Sequence, residues 1–391
     1  MLTYRQGILH LDDRPVPDLA AGLPTPFYAY SLRLVQQRAA AFRQAFPESL
    51  VAFALKANRF APLLHALARA GLGADVVSLG EWRAARAAGF PPARIVVNGN
   101  AKSDALLRAA IAAGAHSLNL DAVEEIPRVV AAARAVGRPA RVALRLNPGL
   151  DMHTHPHLQV AAPGSHFGIP PAQWVDAARA VQRARELHLV GLHFHAGSQL
   201  TAAQDWHALG RAVREAVQRL RAAGVTVDTV NWGGGLGVTY TDAPDPTPQD
   251  LAAVLGPYLE GLGVQAQVFE PGRWLVARAG VLVVRVVQVK HAWGRRFVAV
   301  DGGMNALLRP ALYGARHRVW PVRAGEPRQP ATVVGPNCES ADVLAPEVAL
   351  PADLAPGDLL AVLDAGAYGA SMANGYNARP LPREVVVLPP A

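Results

Sequence analysis

The sequence predicts an α/β protein: a closed (β/α)8 TIM-like barrel over residues 31–275, and a mainly β domain from residues 1–30 and 276–391. Short apolar runs alternate with helix-like stretches from about residue 51 to 275, and a glycine closes many of those stretches. After residue 275 the helical periodicity gives way to strand-like runs separated by Pro/Gly turns.

In order, the apolar runs are "VAFAL" (51–55), "ADVVS" (74–78), "RIVVN" (94–98), "HSLNL" (116–120), "RVALRLN" (141–147), "LVGLHFH" (189–195), "TVDTVNW" (226–232) and "VQAQVF" (264–269). Near-continuous apolar runs of this length suit parallel strands covered on both faces. Between them, "PLLHALARAG", "EWRAARAAG" and "LLRAAIAAG" carry apolar residues at helical spacing. Gly71, Gly89, Gly114, Gly137 and Gly224 end such stretches, where a residue free to take positive φ caps a helix. Strand and helix alternating eightfold predict barrel closure, with an open doubly wound sheet as the alternative. Beyond the barrel, "VLVVRVVQV", "RRFVAVD", "PATVVG", "DLLAVLD" and "REVVVLP" read as strands, and the N-terminal "LTYRQGILHL" reads as a strand able to join them. "TDAPDPTPQD" (241–250) reads as a loop after strand seven.

A chain of 391 residues exceeds the length at which one core stops growing, in line with two domains. Its 51% hydrophobic and 17% charged residues exclude a disordered chain. No apolar run approaches the roughly 20 residues of a membrane span. The start, "MLTYRQGILHLDD", has no apolar core of a signal peptide. The lone cysteine, Cys338, rules out an internal disulfide, and a cytoplasmic protein is expected. The net charge of +8 is spread along helical stretches such as "VQRARELH", which reads as solvated faces rather than a nucleic-acid surface. Lys56, Lys102 and Lys290 are the three lysines, so chemistry that needs a side-chain amine has three candidates.

Reactive groups of such a barrel sit at the C-terminal ends of its strands. Strand one ends in "LKAN", where Lys56 beside an apolar run could be a desolvated amine nucleophile. Strand six ends in "HFHAGSQ", with His193 and His195 on one strand face and Ser198 in the turn after them. Strand seven ends in "WGGGLG", whose glycines let backbone N–H groups approach an anion, and strand eight ends in "EPGR" with Glu270. Amine, carboxylate, flat-ring partner and phosphate nest are the set that pyridoxal 5′-phosphate requires. His153, His155 and His157 of "DMHTHPH" alternate as metal ligands on a strand would, but Pro156 interrupts that geometry. A loop with one substrate-facing histidine fits better, and no metal is expected.

With these residues in order, the chain resembles the fold-type III pyridoxal-phosphate decarboxylases and is most similar to the diaminopimelate decarboxylases among them. The motifs run from "TPFYAYS" to "YNARPLPREVVV" and include "FALKAN", "GADVVSLGE", "NGNAKS", "GLHFHAGSQ", "GGGLGVTY", "EPGRWLVARAG", "VDGGMNALLRPALYGARH", "GPNCESADVLA" and "GAYGASMANGYNARP". The resemblance implies that Lys56 holds the cofactor covalently, Glu270 pairs with its ring nitrogen and His195 stacks on its face. Ser198, Gly234, Gly235 and Tyr368 would hold its phosphate, with Gly272 and Arg273 nearby. Arg273, Arg309 and Tyr313 would bind a substrate carboxylate, with Tyr368 and Tyr376 close to the substrate. Cys338 and Glu339 match a loop lent across a homodimer, the cysteine as a proton donor and the glutamate reading the distal ammonium.

The implied reaction is decarboxylation of meso-2,6-diaminopimelate to L-lysine, the last step of lysine biosynthesis. Another basic amino acid (ornithine, lysine or arginine) is the alternative substrate, and a non-catalytic pyridoxal-phosphate carrier is a more distant one. Ala196, Ala341, His166 and Arg316 depart from the commoner family pattern of Ile, Gly, Lys and Tyr. Ala341 and Arg316 lie near the substrate motifs and so bear on substrate range.

Overall fold

The computed structural model describes residues 1–152, 155 and 160–388. It divides into two compact units, one of residues 39–238 and 245–272 and the other of residues 1–38, 239–244 and 273–391.

The first unit holds eight parallel strands: Leu50–Ala54, Gly73–Val76, Ile95–Val97, Ser117–Leu120, Ala140–Arg145, Leu187–His193, Thr229–Asn231 and Ala266–Phe269. Each pairs with the next, and the eighth closes on the first through Val268 opposite Leu50 and Phe269 opposite Val51. The expected barrel is therefore closed, not an open sheet. All eight apolar runs form strands because both faces of each are covered, by helices outside and by packed side chains such as Ala52, Val96 and Val268. Helices begin and end where the sequence punctuates them. Ser78 and Ser103 accept from the N–H groups of Glu81 and Leu106, and Thr247 forms a capping box with Asp250. The five glycines at the other ends all adopt positive φ, from 72° at Gly137 to 92° at Gly89.

The second unit is a sheet built on the long strand Gly280–Ala292. Its path runs Val319–Pro321, Leu359–Val362, Gly280–Ala292, Arg295–Val300, Arg328–Val334 and Val343–Pro351. The N-terminal contribution comes through Phe27–Ser31, antiparallel to Gly280–Val283 and parallel to Arg383–Val387. "LTYRQGILHL" folds as a hairpin, Leu2–Arg5 against Ile8–Leu11, that meets the later β strands through an antiparallel bridge between Ile8 and Arg323, and it packs Leu9 and Leu11 beside Phe27, Val281, Val283 and Leu363. Thr239–Pro244, the start of the loop after strand seven, clusters with this β unit. Among the described residues no helix is long and apolar enough to cross a membrane.

Candidate active site

Each barrel strand delivers one polar side chain at its C-terminal end, where the apolar run stops. These are Lys56, Asp75, Asn98, Asn119, Arg145, His193, Asn231 and Glu270, in strand order. All but Lys56 are buried, so each needs a partner. Glu270 is the hub. Its Oε1 accepts from Asn98 Nδ2 at 2.9 Å and Asn231 Nδ2 at 2.7 Å, and its Oε2 lies 3.1 Å from His193 Nε2. Asn98 Nδ2 also reaches Asp75 Oδ1 at 2.8 Å, while its own oxygen accepts from Asn119 Nδ2 at 2.9 Å. Arg145 pairs with Asp121 at 2.9 Å.

Two buried carboxylates on one network cannot ionise equally. Burial opposes ionisation of Glu270, but the His193 contact, the Lys56 charge and the Asn231 hydrogen bond outweigh it and hold its pKa at about 2. Asp75 takes the opposite direction. Burial and then the Glu270 charge push it up to about 7, against partial relief from Lys56 and Asn98. Glu270 is the standing anion, and Asp75 the partner that takes a proton near neutrality. Asp75 Oδ2 is buried with no hydrogen bond. Burial keeps His193 neutral, and with Nδ1 unpartnered its Nε2–H donates to Glu270.

Lys56 lies in the 3-10 turn Leu55–Ala57 after strand one, its Nζ 3.6 Å from Asp75 Oδ2. The preceding apolar strand does not desolvate it: its side chain is 40% exposed, because the turn lifts it clear of the buried end of the strand. Of the other amines, Lys102 is locked in a buried pair with Glu125 at 2.9 Å, and Lys290 is exposed on Gly280–Ala292. Lys56 is thus the amine at this end of the barrel.

Strand six ends at His193, and His195 lies in the segment after it. His195 Nδ1 accepts from the Gly234 N–H at 3.2 Å, which assigns its own proton to Nε2. Burial, then the Lys56 and Arg145 charges, hold it well below its usual pKa, so it presents a neutral ring. Ser198 is half-buried in the bend that follows. The glycine run has a packing role beside any anion role. A Cβ at Gly233 would collide with the Phe194 carbonyl, and one at Gly234 with the Glu270 carbonyl. Gly234→Ala is expected to cost about 1–3 kcal/mol by forcing the segment that carries Glu270 to shift. Gly256→Ala, in a helix with open space around its Cα, is expected to be neutral or stabilising. Denaturant titration of the two variants checks the contrast.

In the β unit, Arg273 and Arg309 are both buried. Arg273 Nη1 donates to Tyr240 Oη at 2.8 Å, and its guanidinium lies 4.8 Å from the Tyr368 ring centre. Arg309 begins the short helix Arg309–Tyr313, its guanidinium 4.6 Å from the Tyr240 ring centre. This unit thus brings together Arg273, Arg309 and Tyr368 of the expected set. A second cluster holds Cys338, Glu339 and Tyr376. Their loop is fixed by the buried Asp342 carboxylate, which accepts from Met304 N–H at 2.5 Å and from both nitrogens of Asn337. Cys338 N–H donates to Asn377 Oδ1 at 3.0 Å. Cys338 and Glu339 are exposed, as is Tyr376. The Ala341 N–H and the Ser340 hydroxyl hold Glu339 below the usual carboxylate range.

Asp75, Asn98, Asn231, Tyr240 and His317 were not singled out as site residues from sequence. The first three had a signal, a polar residue ending or interrupting an apolar strand run. Among the described residues no group of three or more His, Cys, Asp or Glu is placed to hold a metal, and His153 and His157 of the alternating histidines lie outside the described residues.

The family model described as "Pyridoxal-dependent decarboxylase, pyridoxal binding domain" matches residues 32–277. The diaminopimelate decarboxylase of Zymomonas mobilis is 39% identical over 393 residues, covering 98% of this chain and 93% of its own. That of Pseudomonas aeruginosa is 40% identical over 395 residues, with the same coverage. Among solved structures, the diaminopimelate decarboxylase of M. jannaschii in complex with L-lysine superposes with a TM-score of 0.94 at 33% identity, covering 99% of this chain and 92% of that one.

Proposed function

This chain belongs to the pyridoxal-dependent decarboxylase family, and on that premise we propose that it removes CO2 from meso-2,6-diaminopimelate to give L-lysine. It is a pyridoxal-phosphate enzyme, and the network around Glu270 fits that cofactor. The network leaves Asp75 Oδ2 buried without a hydrogen bond, Glu270 Oε2 has one side-chain contact and a lone pair to spare for a protonated ring nitrogen, and Lys56 offers an amine 3.6 Å from Asp75. When bound, pyridoxal phosphate accepts the electron pair released as CO2 leaves. The observation that carries the reading is Glu270, a carboxylate held ionised in a buried site by three side-chain contacts.

The division of labour follows from the chemistry of each residue. Lys56 would hold the cofactor through its amine, the lysine amine at this end of the barrel. Glu270 would keep a proton on the cofactor's ring nitrogen, and neutral His195 would pack against the ring. Ser198, the N–H groups of Gly234, Gly235 and Gly272, and the Tyr368 hydroxyl would bind its phosphate, with the Arg273 charge in support. Arg273, Arg309 and Tyr313 bind the carboxylate that the product keeps. Glu339 reads the distal ammonium, Tyr376 closes around it, and Cys338 protonates the substrate α-carbon. Cys338 and Glu339 act in the site of a second copy of the chain. A rigid loop that displays a proton donor and a carboxylate to solvent supports a homodimer. An exposed thiol that must stay reduced supports the cytoplasm as its compartment.

Purified protein supplied with pyridoxal phosphate is expected to release CO2 and lysine from meso-diaminopimelate. It is expected to leave ornithine, lysine and arginine unconsumed. Turnover of those three with none of the diacid would overturn the substrate assignment but keep the cofactor chemistry.

A further inference from the structure

Among the described residues, Arg309 is a buried cation with no counter-ion beside it. No carboxylate of the described residues lies within 4 Å of it, and its Nε is buried without a hydrogen bond. A guanidinium in that state is costly, and neutral groups must hold it in place. Two do so. One is the Tyr240 ring, 4.6 Å away. The other is His317, whose Nε2 lies 2.8 Å from Arg309 Nη1 and whose Nδ1 lies 2.8 Å from the Leu363 carbonyl oxygen. That carbonyl can only accept, so Nδ1 carries the proton and Nε2 presents a lone pair to Arg309. Burial and then the Arg309 charge push His317 down to about 3, so the ring is neutral at any working pH. Tyr240 ties the group together: its ring meets the His317 edge at 5.3 Å, and its hydroxyl accepts from Arg273.

We infer that His317 is a positioning residue for carboxylate recognition, its Nε2 lone pair fixing the direction of the Arg309 guanidinium without neutralising its charge. The inference rests on the reading of Arg309 as a carboxylate binder. Imidazole suits this task better than a carboxylate. Asp or Glu at this position would neutralise Arg309 and compete with the substrate anion, whereas a neutral acceptor fixes direction and leaves the charge unspent. The residue lies in the "LYGARH" stretch, three places beyond the Gly314 that ends the Arg309 helix with φ of 58°. That turn brings the imidazole back to the helix it serves.

The test compares two ligands of the holoenzyme that share both amines and differ in the carboxylate: L-lysine and 1,5-diaminopentane. His317→Leu is expected to weaken L-lysine binding about 10- to 100-fold, the value of a hydrogen bond to a charged group. It is expected to leave 1,5-diaminopentane unchanged. His317→Asn keeps the donor to Leu363 and gives up the acceptor to Arg309, so it must show the same selective loss even if the leucine variant does not fold. His317→Gln, which can do both, is expected to recover most of the affinity. Arg309→Leu is measured beside them. If Arg309→Leu loses lysine affinity while His317→Leu and His317→Asn do not, the positioning role is wrong. Equal loss of both ligands overturns it too, since a structural defect does not discriminate. If Arg309→Leu itself keeps lysine affinity, the carboxylate reading of Arg309 falls instead.

Discussion

Lys56→Ala will abolish turnover, lowering kcat by at least ~10³-fold, because a tethered amine acts at an effective concentration that no dissolved amine matches. The alternatives are closed off by structure. Lys102 is buried against Glu125, and Lys290 is exposed on a strand of the β unit. The loss belongs to chemistry and not to folding. The Lys56 side chain is 40% exposed and its ion pair with Asp75 is long at 3.6 Å, so its removal should change stability by no more than about 1 kcal/mol. What it removes electrostatically is the charge that eases Asp75 ionisation, so Asp75 should hold its proton to higher pH in the variant. The measurements are the near-ultraviolet and visible absorbance of bound cofactor, turnover with and without a small added amine, and the melting temperature. Lys56→Arg keeps the charge and should be as inactive as the alanine variant. A variant that turns over normally would remove Lys56 from the mechanism.

The barrel was legible because its strands are defined by what does not depend on partners far along the chain. Apolar runs covered on both faces, and glycines forced to positive φ at helix ends, are local requirements that leave local marks. Lys56 and Glu270 were legible for the same reason, since each sits at the point where an apolar run stops. Their state was not. That Glu270 is the anion and Asp75 the proton-holding partner depends on Asn98, Asn231 and His193, which come from three other strands. No spacing in the sequence records which of two carboxylates receives more donors. The exposure of Lys56 was likewise hidden, because it sits in a 3-10 turn after the strand that an apolar run does not record. His317 was invisible for a different reason. A lone buried histidine is most often a satisfied core residue, and its orientation towards Arg309 is set by a carbonyl 46 positions later.

Cys338→Ala will lower kcat by about 10²–10⁴-fold, the usual worth of a positioned proton donor, while leaving cofactor binding intact. The thiol lies on a loop anchored by Asp342, so the donor is presented in a fixed place, yet it is exposed in the isolated chain. A proton donor open to water would be replaced by water and gain nothing. The assignment therefore requires a second copy to cover it, and this makes the two halves of the claim testable together. Mixing the Lys56→Ala and Cys338→Ala proteins, each inactive alone, allows hybrids in which one site carries both lesions and the other carries none. In a freely exchanging equal mixture half the dimers are hybrids with one intact site, so activity should recover to about a quarter of wild type. If each site used its own Cys338, every site in the mixture would keep a lesion and no activity would return. Recovery to that level, lost again on dilution to the point where subunits separate, ties the exposed Cys338 of one chain to Lys56 of its partner.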